Sequence, residues 1–169
     1  MRAPDYDGGG LVNVIAELER RLTGGAPSPG LRTDLAGLIP EAQSYVLVLF
    51  DGLGDHQLRH PAAGPLAVSR RAAIDASFPT TTTVSLATLA TGLPPAGHGL
   101  LGYQMWLPEV DQVVATIKWT TLWGEPVAVD HDHFLPRTTW ERLAAAGAEP
   151  IVLQPANFEG SPLTRVLYR

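Results

Sequence analysis

Two short polar segments, some thirty residues apart, contain the side chains best suited to chemistry. The first is Asp51, which follows the apolar run 44–50 and precedes Gly52-Leu53-Gly54. A carboxylate next to glycines can approach a metal ion or a phosphate closely, because glycine has no side chain in the way. An aspartate in such a turn also commonly bonds the backbone of its own loop. Position alone therefore leaves both interpretations of Asp51 open.

The second segment is the run of four threonines at 80–83, which leads into a helix predicted over 82–91 and closed by Gly92. A helix N-terminus has unpaired N–H groups and about half a positive charge, which favours a phosphate. A hydroxyl there is a good nucleophile only if its pKa is lowered, for example by a metal ion. The simpler interpretation is that one threonine caps the helix and the others fill space.

Other residues able to bind a metal have weaker patterns. The alternating run 130–133 (Asp-His-Asp-His) suggests zinc, but in an extended chain only two of its four side chains could share one ion. A solvated loop is the simpler interpretation. His56 and His60, four residues apart on a predicted short helix, have no third ligand nearby. His98, between two glycines, is predicted to be a structural loop residue.

The composition limits the classes of protein that the chain can belong to. Its 169 residues fit one domain, and an apolar fraction of 45% is sufficient for a core. Twelve basic against 17 acidic residues argue against a nucleic-acid binder. The absence of cysteine excludes disulfides and thiolate chemistry. With no run long enough for a membrane span and no signal-peptide pattern, we expect a cytoplasmic protein without a membrane partner.

The spacing of apolar residues predicts the elements that must position these side chains. The continuous run 44–50 predicts a strand buried on both faces, which is typical of a parallel sheet. The remaining predictions are a helix over 11–22, weaker strands over 72–77, 113–119 and 151–154, a loop over 93–99, and a helix over 139–146 capped by Thr138 or Thr139. This alternation predicts an α/β fold with a layered, parallel or mostly parallel sheet flanked by helices.

The small number of strands has a consequence for domain organisation. About four strands are recognisable, whereas a parallel sheet needs several strands with both faces covered. We therefore expect the sheet to be incomplete and the chain to be the N-terminal part of a longer protein. Residues 1–30 would form an N-terminal helix and linker, and residues 31–169 the N-terminal portion of the α/β domain.

Taken together, the two chemical segments resemble the type I phosphodiesterase/nucleotide pyrophosphatase family of the alkaline phosphatase superfamily. The resemblance lies in V-L-V-L-F-D-G-L-G and, some thirty residues later, F-P-T-T-T-T-V-S-L-A-T-L-A-T-G-L-P-P-A-G-H-G-L-L-G-Y. It covers residues 44–103 and extends more weakly through F-L-P-R-T-T-W-E-R-L-A-A-A-G. The order and spacing of the two motifs carry the resemblance, because either motif alone is uninformative.

The resemblance implies that residues 31–169 are the N-terminal portion of an alkaline-phosphatase-like catalytic domain. It also implies a hydrolase of phosphodiester or pyrophosphate bonds that uses two divalent metal ions, usually zinc. Asp51 matches the metal-binding aspartate of the family. Thr82 matches the threonine that attacks phosphorus and also binds metal. Ser85 stands where the family often has an asparagine that holds a phosphate oxygen. The implied substrate is a small phosphoester such as a nucleotide.

The resemblance also bears on activity. The other metal ligands of the family come from a C-terminal half that has no counterpart in these 169 residues, so we expect the chain alone to be inactive. An alternative from another class stays open: a non-catalytic α/β domain that binds a phosphorylated small molecule or a protein partner through the same helix N-terminus.

Overall fold

The computed structural model describes residues 3–130 and 134–168, which form a mainly helical structure with one small sheet. The helices are α1 (Leu11–Thr23), α2 (Thr33–Ala36), α3 (Gly64–Ser69), α4 (Thr82–Thr91), α5 (Pro95–His98), α6 (Thr139–Ala145) and α7 (Pro162–Leu167). The strands are β1 (Gln104–Leu107), β2 (Gln112–Ala115) and β3 (Thr120–Thr121). Short 3-10 helices cover Asp55–Arg59, Pro61–Ala63 and Ala156–Phe158. No helix in this part of the chain is long and apolar enough to cross a membrane.

Helix α4 lies at the centre of the packing. Its bounds agree with the predicted helix over 82–91, and Gly92 ends it with a positive φ of 64° that suits glycine. Val84, Ala87 and Ala90 are completely buried, and α1, α5, α6 and α7 all contact the helix. Because α4 is held on several sides, its first residue, Thr82, occupies a well-fixed place.

Helix α1 confirms the helix predicted over 11–22, but the face that it buries is partly polar. Val12, Ile15 and Ala16 are buried together with Glu17 and Glu19. Both carboxylates are neutralised by arginines, which is what allows charged groups to be buried. The helix contacts α4 and α6, so the N-terminal segment packs against the helices that follow it in the chain.

The sheet is antiparallel, and the prediction of a parallel or mostly parallel layered sheet is wrong for the residues described. Strand β1 pairs with β2, and β2 with β3, in simple chain order. The predicted strand over 113–119 corresponds only in part to β2. Leu107 and Val114 point into the core, whereas Trp106 and Val113, paired across the two strands, face outward. The short connection between β1 and β2 explains the direction, because parallel strands need a long crossover.

Three predicted strands do not form within the described part of the chain. Residues 44–50 and 151–154 have no strand partner there, and Val46 and Leu153 are 91% and 93% exposed. Residues 72–77 contribute only an isolated parallel bridge between Asp75 and Gly10. An apolar, β-forming run becomes a strand only when another strand accepts its backbone hydrogen bonds, and none of the three strands among residues 3–130 and 134–168 pairs with these runs.

Two further local predictions, for residues 93–99 and 139–146, have opposite outcomes. The helix over 139–146 is confirmed as α6, and Thr138 is its cap: its hydroxyl accepts from the Glu141 N–H while Glu141 accepts from the Thr138 N–H. The loop predicted over 93–99 contains the short helix α5 instead. Pro95 starts this helix, a position where the missing N–H costs nothing.

Candidate active site

The structure brings together Asp51 and Thr82, the two residues singled out in the sequence. The Thr82 hydroxyl donates a hydrogen bond to Asp51 Oδ2, with an Oγ1–Oδ2 distance of 3.0 Å. Asp51 lies in a tight turn closed by a hydrogen bond from the Leu53 N–H to the Phe50 carbonyl. Gly52 has a φ of 72° in this turn, a conformation that favours glycine. Both interacting side chains are exposed and accessible to a ligand.

The N-terminus of α4 lies directly at this pair and is electrostatically suited to an anion. Thr81 occupies the N-cap position, but its side chain makes no capping hydrogen bond. Its hydroxyl instead lies 3.4 Å from the hydroxyl of Thr83. The simple interpretation that a threonine hydroxyl caps the helix is therefore not what the structure shows. The first-turn N–H groups and the partial positive charge of the helix therefore lie next to Thr82 without a capping side chain, an arrangement that favours an anion.

Ser85 lies one helical turn after Thr82 on the same face of α4 and is half-buried. Residues three apart on a helix have their Cβ atoms about 5–6 Å apart. Its hydroxyl is therefore within reach of a group bound to Thr82. The backbone of Ser85 is already engaged, because its N–H donates to the Thr81 carbonyl. A contact between Ser85 and a ligand would therefore be made by the side-chain hydroxyl.

As a metal site, this arrangement is partial. Asp51 and Thr82 offer two oxygen donors, whereas catalytic zinc commonly has three protein ligands. Residues 3–130 and 134–168 contain no group of three or more histidines or acidic residues able to hold a metal ion. Asp55, the next acidic residue after Asp51, pairs with Arg70, whose guanidinium holds the pKa of Asp55 below its usual range. The described residues do not complete a metal site on their own.

The other candidate ligands do not join the Asp51–Thr82 pair. His56 lies in the 3-10 helix Asp55–Arg59, and His60 follows that helix. With three residues per turn, a spacing of four no longer places two side chains on one face. The His60 ring accepts a hydrogen bond from the Ala62 N–H and so caps the next 3-10 helix. Of the run 130–133, only Asp130 lies within the described residues, and it is exposed.

A buried polar cluster beneath α4 was missed by the sequence analysis. His98, expected in a loop, ends α5 and is 2% exposed. Its Nε2 lies 3.1 Å from Thr88 Oγ1, which in turn lies 2.8 Å from Ser77 Oγ. Burial lowers the pKa of His98 to about 4, so the ring is neutral near pH 7. The sequence contains one indication of this cluster: Thr88 is a polar residue in the apolar centre of α4.

Comparison with known proteins adds family evidence to this geometry. The model of the family described as Type I phosphodiesterase / nucleotide pyrophosphatase matches residues 45–157, roughly two thirds of the chain. The matched range contains Asp51, Thr82 and Ser85. Comparisons with curated proteins and with solved structures give no match.

Proposed function

Because the chain belongs to the type I phosphodiesterase/nucleotide pyrophosphatase family, we propose that it serves the hydrolysis of phosphodiester or pyrophosphate bonds with Thr82 as the nucleophile. The observation that carries the proposal is the 3.0 Å hydrogen bond between Thr82 and Asp51 at the start of α4. It joins a hydroxyl, a proton acceptor and a helix N-terminus in one accessible place. The proposed substrate is a small phosphoester such as a nucleotide.

In the first step, Thr82 Oγ1 forms a bond to phosphorus while the bond from phosphorus to the leaving oxygen breaks. The hydroxyl proton moves along the existing hydrogen bond towards Asp51 Oδ2. The N–H groups of the first turn of α4 offset the negative charge on the phosphoryl oxygens. Ser85, one turn further on, donates a hydrogen bond to one of these oxygens. Asp51 passes the proton from Thr82 to the departing oxygen and is again a carboxylate. Water then attacks the phospho-threonine: its oxygen bonds to phosphorus, the bond from phosphorus to Thr82 Oγ1 breaks, and a proton of the water returns to Oγ1, which releases phosphate or a phosphomonoester.

The family membership adds two divalent metal ions, most simply zinc, to this proposal. Asp51 and Thr82 would each contribute one oxygen ligand, and further ligands are needed beyond those that the described residues group together. Such ions would supply positive charge that favours the ionised hydroxyl and the departing oxygen. We accordingly propose that the 169-residue chain by itself has little or no hydrolytic activity.

The test is hydrolysis of a nitrophenyl phosphodiester with added zinc. It compares the 169-residue chain with any longer form that its gene encodes. We expect activity in a longer form, and a loss of about a thousandfold or more in its Thr82→Ala variant. Thr82→Ser should retain part of the activity because the hydroxyl survives. Thr80→Ala, which changes an exposed threonine of the same run, is the matched control. A folded Thr82→Ala variant with full activity would refute the assignment of the nucleophile.

Detection of the covalent phospho-threonine tests the same assignment without a measurement of the hydrolysis rate. Rapid acid quenching of the active form with substrate should leave a phosphoryl group on the peptide that contains Thr82, detected by mass spectrometry. The Thr82→Ala variant should not be labelled. Labelling of another residue would place the nucleophile elsewhere.

The second candidate, a non-catalytic phosphate-binding domain, is favoured by one observation: no side chain caps α4 in the described structure, so its first N–H groups are available. Titration with pyrophosphate would shift the amide NMR signals of the first turn of α4 under both proposals. Binding without zinc, together with no hydrolysis by any form of the protein, would favour the second candidate.

A further inference from the structure

Three buried polar side chains form a continuous hydrogen-bonded chain that crosses α4. Ser77 comes from the segment before α4, Thr88 from the middle of α4, and His98 from the end of α5. They are 1%, 0% and 2% exposed. The contacts are 2.8 Å between Ser77 Oγ and Thr88 Oγ1, and 3.1 Å between Thr88 Oγ1 and His98 Nε2. The chain therefore ties three separate segments to one another inside the protein.

The direction of the hydrogen bonds made by His98 follows from its tautomer. The Leu100 N–H donates to His98 Nδ1, so that nitrogen carries no proton. A neutral ring then carries its proton on Nε2, which donates to Thr88 Oγ1. Between Thr88 and Ser77, either hydroxyl can donate to the other. One ring orientation and one tautomer thus fix the bond from His98 to Thr88, and Ser77 is joined to the same Thr88 oxygen.

The hydrogen bonds among Ser77, Thr88 and His98 fix the start of the segment that leads to Thr82. Thr88 lies six residues after Thr82, which corresponds to about 9 Å along the axis of α4. Ser77 is bonded at that depth, so residues 78–81 must run back along the helix to reach its start. The Phe78 N–H donates to the Tyr6 hydroxyl at 3.0 Å, which gives the same end of the segment a second hydrogen bond. Residues 78–81 are therefore tied to α4 at both ends: through the bond of Ser77 to Thr88 at one end, and through the peptide link to Thr82 at the other.

We propose that His98 is a positioning residue: through Thr88 and Ser77 it fixes residues 78–81, and thereby the orientation in which Thr82 meets Asp51. The positioning itself is a property of the folded chain, whereas its catalytic consequence rests on the proposed function. The Thr82–Asp51 hydrogen bond is exposed, so its geometry depends on the backbone that presents Thr82.

The first experiment measures positioning without activity, by NMR of the 169-residue chain. In the wild type we expect His98 to show the tautomer with the proton on Nε2. Thr88→Val removes the bridging hydroxyl while keeping the shape of the side chain. It should shift the methyl signal of Thr82 and accelerate amide exchange in residues 80–83 by about tenfold or more. Thr88→Ser restores the hydroxyl and should return both towards the wild-type values.

The control is Thr91→Val, which removes another buried hydroxyl of α4. Thr91 Oγ1 donates to the Ala87 carbonyl and does not belong to the Ser77–Thr88–His98 chain. This variant should leave residues 80–83 unchanged. If Thr88→Val does not fold, Ser77→Ala removes the last member of the chain and should give the same changes in residues 80–83. Wild-type signals in a folded Thr88→Val or Ser77→Ala variant, or equal effects of Thr91→Val, would overturn the proposal.

The second experiment uses a form of the protein that hydrolyses the nitrophenyl phosphodiester. Thr88→Val should lower kcat by about tenfold or more with little change in KM, because misplacement of a nucleophile affects the chemical step. Thr88→Ser should stay within about twofold of the wild type, and Thr91→Val should keep the wild-type kcat. An unchanged kcat in Thr88→Val would refute positioning and leave the proposed function intact. If no form hydrolyses the substrate, the proposed function fails, while the NMR measurement still decides on positioning.

Discussion

The hydroxyl of Thr82 and the carboxylate of Asp51 are joined by a 3.0 Å hydrogen bond, although they lie 31 positions apart in the chain and both are exposed. Two backbone features create this contact: the turn at Gly52, which presents the carboxylate, and the start of α4, which presents the hydroxyl. A hydrogen bond at the surface contributes only about 1 kcal/mol to folding. The pair can therefore be changed with little effect on stability.

We expect Asp51→Asn to change the free energy of unfolding by no more than about 1 kcal/mol, because the side chain is exposed and keeps its size. In an active form of the protein, the same change should remove most of the hydrolysis, since the amide is a poor proton acceptor and metal ligand. Urea unfolding and turnover of the nitrophenyl phosphodiester measure the two effects. Asp55→Asn is the control, because Asp55 pairs with Arg70 and not with Thr82. A large loss of stability in Asp51→Asn would show that the carboxylate is structural.

The apolar run before Asp51 allows a direct test of the fold. Val48 is 65% exposed, so Val48→Lys should leave the free energy of unfolding within about 0.5 kcal/mol of the wild type. It should also reduce self-association, because a charge interrupts an exposed apolar, β-forming segment. Urea unfolding and light scattering measure these effects. Val114→Lys, which places a charge at a completely buried position of β2, should by contrast prevent stable folding. A loss of several kcal/mol in Val48→Lys would mean that residues 44–50 are buried.

Residues 44–50 also show why part of the fold escaped the sequence analysis. The bounds of α4 and the cap of α6 were predictable, because Gly92 and Thr138 act through neighbours close in the chain. A strand depends on a partner elsewhere, and the apolar character of a run does not say whether that partner is present. The pattern therefore predicted burial where the structure shows exposure.

The candidate site likewise includes residues that the sequence indicates and a contact that it does not. Asp51 and the threonine run 80–83 could be singled out because each lies where a predicted apolar element ends or begins, and the family resemblance selected Thr82 within that run. The hydrogen bond between His98 and Thr88 joins residues ten positions apart on different helices, and the spacing of apolar residues does not indicate such a contact. Sequence alone placed His98 as structural, and the buried contacts agree, but its connection to the segment before Thr82 required coordinates.

A third prediction concerns the ion pair between Glu19 and Arg142, which joins α1 to α6. The guanidinium donates to both oxygens of Glu19, at 2.5 and 2.8 Å, and to the Thr91 carbonyl at the end of α4. The Glu19 side chain is 2% exposed. Arg142→Met should lower the free energy of unfolding by about 3–5 kcal/mol, because it leaves a buried carboxylate without its partner.

The matched control for that change is Arg32→Met, which breaks an ion pair with Asp5 whose side chains are 50% and 39% exposed. It should cost about 1 kcal/mol or less. Urea unfolding of Glu19→Gln, Arg142→Met and the double variant completes a cycle. The double variant should lose less than the sum of the two single losses. Additive losses would show that the two side chains do not stabilise each other.

The last prediction concerns the pH dependence of stability that His98 imposes. Burial lowers the pKa of His98 from 6.5 to about 4, so between these values the unfolded chain binds a proton that the folded chain does not. Stability therefore rises with pH across this window and is fully present above pH 6.5. Between about pH 7 and pH 4 this single group should cost about 3 kcal/mol.

His98→Gln isolates this effect from the carboxylates that titrate in the same range. The Gln side chain can place an amide donor near the position of Nε2, and so can keep the bond to Thr88 without titrating. We expect the wild type to lose its stability more steeply than His98→Gln as the pH falls from about 6.5 to 4, as measured by urea unfolding at several pH values. Carboxylates titrate equally in both proteins, so the difference between the two curves belongs to His98. Parallel curves would show that His98 is protonated in the folded protein as readily as in the unfolded chain, which its 2% exposure and its bond from the Leu100 N–H oppose.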